Sequence, residues 1–166
     1  MHNEAEFKKA FKKSVKENQG YTLTLCVPMV VGVPDLYCIA PGYMPVLLEA
    51  KWMGDITAHN FNRKIPYSAM QKVWIKAACK VQDYAAMGLI GFKFRDQTWC
   101  VLMEEGIENI NYAFGAWHPC VTYDKGFDIQ ALFGQSLVPK MPLTYAKLCA
   151  NENIQLKLVS RAVNDT

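Results

Sequence analysis

The sequence predicts an α/β fold, and three observations point to it. An amphipathic N-terminal segment has helical spacing, two β-favouring runs are joined by a Pro-Gly turn, and a second helical stripe is followed by two more strand-like runs. Helix, strand, hairpin, helix, strand, strand is the order of an α/β core.

The first helix opens at Asn3-Glu4-Ala5-Glu6, with Glu4, Phe7, Phe11 and Val15 on one stripe and Lys8, Lys9, Lys12, Lys13 and Lys16 assigned to the side away from the phenylalanines. Tyr21 to Pro28 reads as the first strand. Val33 to Ala40 and Pro45 to Trp52 then flank Pro41-Gly42 as an antiparallel hairpin. Trp52 to Pro66 has little periodicity and reads as a long mobile loop that orders on nucleic acid, with Arg63 and Lys64 on its backbone. Tyr67 to Ala86 carries apolar residues at Met70, Val73, Trp74, Ala77, Val81 and Tyr84, a helical stripe. Gly88 to Phe94 and Thr98 to Met103 are strands around a polar turn at Arg95-Asp96-Gln97. Beyond Glu104 the reading gives short helices near Asp128 to Phe133 and Leu143 to Ala150, and a strand at Ile154 to Val159.

The hairpin carries the chemistry. With the turn centred near Gly42, antiparallel partners put Ile39 opposite Pro45, Tyr37 opposite Leu47 and Asp35 opposite Glu49, with Cβ atoms about 5 Å apart. Period-2 alternation gives Glu49 and Lys51 the same face as Asp35. Two carboxylates in apolar surroundings repel each other and lose solvation unless a hard cation such as Mg²⁺ or Mn²⁺ takes their oxygens. A neighbouring ammonium can then orient the attacking water or balance charge on a phosphoryl group. The alternative is a salt-bridged hairpin, which is costly in a buried strand pair.

Pro34-Asp35 followed by Glu49-Ala50-Lys51 resembles the signature of the PD-(D/E)xK nuclease superfamily. Gly32 and the short gap between the halves look most like the VRR-NUC and Holliday-junction-resolvase branch, including phage-encoded members. The resemblance spans residues 4–103 and implies a central mixed β-sheet flanked by helices, a restriction-endonuclease-like core, in one nuclease domain with residues 104–166 as an elaboration. It implies a Mg²⁺-dependent DNA endonuclease, with Mn²⁺ substituting, acting on branched or junction DNA in recombination, repair or phage genome processing. Asp35 and Glu49 would bind the metal with the Ala50 carbonyl, and Lys51 would assist the attacking water. The family's helix-1 glutamate, an outer metal ligand, matches Glu4 better than the alternative Glu6, which lies off the Phe7 and Phe11 stripe, and its helix-2 glutamine matches Gln71. Each also has a local role open to it. Glu4 complements the helix dipole, and Gln71 completes a Ser68 capping box. An exonuclease, an RNA-directed nuclease and a non-catalytic nucleic-acid-binding or assembly protein are the other readings.

Composition narrows the class. A chain of 166 residues with 51% hydrophobic content can bury a substantial core, and no apolar run approaches the ~18 residues needed to cross a bilayer. No membrane partner is expected, and the charged Met1 region does not read as a signal peptide. Cysteines 26, 38, 79, 100, 120 and 149 contain no C-x-x-C pair, which fits reduced thiols and a cytoplasmic location. His59 and His118 accompany no local signature of a thiolate nucleophile. Net charge is only +3, but Lys8 and Lys12 on the first helix, with Arg63 and Lys64, are placed to contact phosphates, unless that face is merely solvated. Junction cleavage needs two symmetric incisions, so a homodimer is expected, through sheet-edge or C-terminal aromatic surfaces. Asn111, Tyr112, Trp117 and Tyr123 would serve a dimer face, substrate stacking or the core.

Overall fold

The computed structural model describes residues 1–26, 30–111, 120–136 and 138–141. The chain runs α1 (Glu4–Glu17), β1 (Tyr21–Thr24), β2 (Leu36–Ile39), β3 (Val46–Asp55), α2 (Ala69–Val81), β4 (Ala86–Phe94), β5 (Gln97–Met103), β6 (Val121–Tyr123) and α3 (Ile129–Gly134). The expected elements at 143–150 and 154–159, with Tyr112 and Trp117, lie outside the described residues. β6 was not foreseen, because three residues carry too little alternation to read.

Six strands form one mixed sheet in chain order, antiparallel except where β3 and β4 run parallel across the α2 crossover. This is an α/β fold with a mixed sheet flanked by helices. Tyr37 faces Leu47 and Leu36 faces Leu48, the register expected from the turn at Gly42, whose φ is 84°. The β4–β5 hairpin closes through Arg95 and Asp96, both at positive φ, a conformation that matches the twist of the strands they join.

Alternation sorts the sheet's side chains into two cores. Leu36, Cys38, Leu48, Ala50, Met87, Leu89, Cys100 and Leu102 pack with Phe7, Phe11 and Val15 of α1 and with Leu132 and Phe133 of α3. Met53, Ile90, Phe92, Val101 and Met103 point the other way, onto Ile56, Ile65 and Ile110. Glu49 and Lys51 alternate with Leu48 and Ala50, so they share the second face, the one that α2 covers.

Several boundaries differ from the sequence reading, with β1 ending at Thr24 and β2 beginning only at Leu36. β3 continues four residues past Lys51, to Asp55, so the connection to α2 begins later than expected. That connection is anchored rather than loose. Ile56 and Ile65 are buried, the Ile65 N–H donates to the Glu108 carbonyl, and Lys64 bridges to Asn109. α2 ends at Val81, and its predicted stripe does not face the core. Met70, Val73, Ala77 and Val81 are exposed, and Ile75 is the residue it buries.

Candidate active site

The site lies where β2 ends and β3 continues. β2 begins at Leu36, so the Asp35 side chain takes over as partner of the β3 backbone. Its Oδ2 accepts the Ala50 N–H at 3.0 Å, and its own carbonyl accepts from the Leu25 N–H at 2.8 Å. Ala50 thus reaches Asp35 through its N–H, which leaves the expectation that its carbonyl ligates a metal as it was. The other carboxylate oxygen, Oδ1, accepts from the Lys8 ammonium at 3.1 Å, and Lys8 also pairs with Glu4 at 3.0 Å.

The sequence reading put Lys8 with the lysines on the side of α1 away from Phe7 and Phe11, but its ammonium is turned to the strands. Four residues past Glu4, its side chain crosses toward the strands and links Glu4 to Asp35. Burial pulls its pKa down, but hydrogen bonds to Glu4 and Asp35 and the charges of both outweigh burial, and the net shift is upward. The i, i+4 spacing of Glu4 and Lys8 was the signal that could have found it. Glu6 instead caps the helix, its Oε1 accepting from the Asn3 side-chain amide and its Oε2 from the His2 N–H.

Glu49 is 1% exposed, one of two buried polar or charged residues among those described. Its Oε1 accepts from the Lys51 ammonium at 2.7 Å and from the Gln71 side-chain amide. Its Oε2 is buried with no hydrogen-bond partner. Burial pushes the Glu49 carboxyl above its ordinary value; the Lys51 hydrogen bond and charge oppose this, while the charges of Asp35 and Glu4 add to it. Three acids therefore act on one another here, with Lys8 and Lys51 as their cations.

Gln71 completes the capping box and also reaches Glu49. Its Oε1 accepts the Ser68 N–H at 2.8 Å while its own backbone N–H donates to the Ser68 hydroxyl at 3.2 Å, completing the capping box, and its Nε2 donates to Glu49. An amide has a donor end and an acceptor end, and here each has its own partner.

Two glycines bring α2 to this spot. Gly32, at φ 88°, approaches the backbone of Met70 so closely that a Cβ would sit 2.6 Å from the Met70 Cβ. Gly88, the β4 partner of Glu49, leaves room for the Tyr67 hydroxyl, which would stand 1.8 Å from a Cβ there. Tyr67 was not singled out from the sequence, and no local pattern marks it. Its hydroxyl is pushed well above its ordinary value by burial, then by the charges of Glu49 and Glu108.

The remaining candidates stand farther out. The Arg63 guanidinium donates to the Met53 carbonyl at 2.8 Å, so it ties the connection to β3. Lys64 is exposed. Lys12 reaches the Thr24 hydroxyl at 3.0 Å. Asn111 donates to the Asn62 side chain, and Tyr123 packs edge-on against Phe127. Burial pushes the Cys38 and Cys120 thiols up to about 12, which leaves them poor nucleophiles at neutral pH.

Among the described residues, no group of three or more His, Cys, Asp or Glu side chains is arranged to hold a metal ion, and no helix is long and apolar enough to cross a membrane. No protein-family model matches the chain, and no curated protein matches it significantly.

Proposed function

We propose that this protein is a divalent-metal-dependent nuclease of the PD-(D/E)xK type. The observation that carries the reading is the buried, unpartnered Oε2 of Glu49, held beside Asp35 while Lys51 and Gln71 occupy Oε1. A buried carboxylate oxygen without a donor is costly, and a hard cation is the partner that offsets it. The donor set fits Mg²⁺ or Mn²⁺: oxygen from Glu49 and Asp35, with Glu4 as an outer ligand once Lys8 is displaced, and neither thiol nor imidazole among them. Such a cation supplies Lewis-acid stabilisation to a phosphoryl group under attack.

The chain's own residues have distinct tasks in this reading. Gln71 and Lys51 fix Glu49 in one rotamer and leave Oε2 free. Lys51 presents its remaining protons to the charge that develops on the phosphoryl oxygens, or to the attacking water. Lys8 neutralises the Glu4–Asp35 pair before the substrate arrives.

The substrate in this reading is DNA, with branched or junction forms favoured, cut by a homodimer in the cytoplasm. Among the described residues Cys26, Cys38, Cys79 and Cys100 are free thiols, which supports a reducing compartment. A cleavage panel tests the function: single-stranded, duplex, flap and four-way-junction DNA, with RNA, each with Mg²⁺, Mn²⁺ or EDTA. Metal-dependent cutting of at least one substrate is expected. Absence of cutting throughout, with nucleic acid bound, would leave the binding or assembly reading. RNA cut in preference, or ends degraded progressively, would select the RNA-directed or exonucleolytic alternative.

A further inference from the structure

A pocket of about 280 Å³ opens between α2 and the segment that follows β5. α2 supplies Lys72, Ile75 and Lys76, and the other segment supplies Glu105, Ile107 and Glu108. The Lys72 ammonium meets Glu108 at 2.9 Å, so the two walls face each other. Gly88 and Tyr67 also line the pocket, and they tie it to the candidate site. Gly88 pairs with Glu49 across one strand spacing, about 4.8 Å, and the Tyr67 hydroxyl stands over it on the face that α2 covers. That hydroxyl, raised first by burial, is raised further by the charges of Glu49 and Glu108, one from the site and one from the pocket.

The charges of the pocket are only partly matched. Lys72 and Glu108 neutralise each other, but Lys76 and Glu105 pair with no described residue, although they line the same space. A cation and a carboxylate that share a pocket without meeting suit a ligand that brings an anionic group to one and an N–H donor to the other. Ile75 and Ile107 add apolar surface for a flat ring. A nucleotide has all three parts: a phosphate, a planar base and, on cytosine, adenine and guanine, an exocyclic amino group. Glutamate accepts from such an amino group, whereas uracil and thymine carry a carbonyl where cytosine carries it. The neighbour favours a nucleotide over a free zwitterion, since Glu49 stands one strand away.

We propose that this pocket is a nucleotide subsite that takes one base bearing an exocyclic amino group, with Glu105 accepting from the amino group and Lys76 on the phosphate. A paired base keeps that amino group in its pair, so the base must be unpaired or extruded. The part the subsite plays in cleavage rests on the nuclease reading; its binding does not.

The test is isothermal titration of the whole chain in EDTA with cytidine and uridine monophosphates, which match in size and differ in that amino group. Cytidine monophosphate should bind about fivefold or more tighter. Glu105→Gln should abolish the difference, since an amide offers a donor to uracil as readily as an acceptor to cytosine. Lys76→Met should weaken both nucleotides alike. Both side chains are exposed, so neither substitution disturbs the core. A single-stranded thymine pentamer with a central cytosine, competed against the all-thymine pentamer, distinguishes a base held in a strand from a free nucleotide. Equal affinity for the two monophosphates, no binding of either at millimolar concentration, or an unchanged preference in Glu105→Gln would overturn the proposal. If the cleavage panel is silent while the preference and its loss are seen, the subsite stands and the nuclease reading fails; cutting without any preference gives the reverse.

Discussion

The two helices that supply the site, α1 and α2, are held by opposite means. α1 buries Phe7, Phe11 and Val15 completely against the sheet, and Phe7 also packs on Trp52 and Phe127. α2 buries Ile75 and leaves its regular apolar stripe outside, with Val73 57% and Val81 88% exposed. Its placement comes from polar and steric handles near its N-terminus: the Ser68 cap, the Gln71–Glu49 hydrogen bond and the close approach of Met70 to Gly32. An apolar stripe at helical spacing shows that a helix forms. It does not show which side meets the core, when a buried carboxylate offers the other side a partner.

The largest expected effect is on α1. Phe11→Ala should cost about 3–5 kcal/mol by urea unfolding, the range for truncating a fully buried aromatic. A loss under about 1 kcal/mol would mean that α1 is not held by its stripe. On α2, Ser68→Ala removes an N-cap that accepts the Gln71 N–H and should cost about 1 kcal/mol. An unchanged melt would remove the cap from the account of how α2 is placed.

A pH slope separates the two helices next. The Glu49 carboxyl is raised above its ordinary value, so the folded state holds that proton more tightly than the unfolded chain. The stability it contributes is present below the ordinary carboxyl range and lost as pH rises from there through its raised value. Glu49→Gln cannot titrate, so the difference in melting temperature between variant and wild type should move in the variant's favour as pH rises across that window. A difference constant with pH would contradict the burial of this charge. The smallest effect belongs to the outer stripe: Val73→Ser should change stability by no more than about 0.5 kcal/mol. A larger loss would show that something covers that face.

What was legible in the sequence follows the same division. The hairpin register was readable because a turn at Gly42 and period-2 alternation leave one pairing that buries Leu36, Cys38, Val46 and Leu48. α1 was readable because its cap, its stripe and its length agree. The inward turn of Lys8 was not, since a lysine on the flank of a helix has two directions open and Asp35, 27 residues on, decides between them. Tyr67 was hidden for a similar reason: Gly88, across the α2 crossover, makes its space. The anchoring of residues 56–68 depends on partners at Glu108 and Asn109, too distant in sequence for any local pattern to show.

The central claim is that Asp35 and Glu49 serve hydrolysis of a phosphodiester, with Lys51 acting on the reaction and not merely bridging the hairpin. The most direct measurement is the cleavage rate of Lys51→Ala beside its affinity for the same substrate, on whichever panel member the wild type cuts with Mn²⁺. Both carboxylates remain in that variant. Cleavage should fall by about 10²–10⁴, while binding weakens only as expected for one lost phosphate contact, with a salt slope lower by about one. Near-wild-type cleavage by Lys51→Ala would contradict the claim and leave Lys51 as a salt-bridge partner of Glu49.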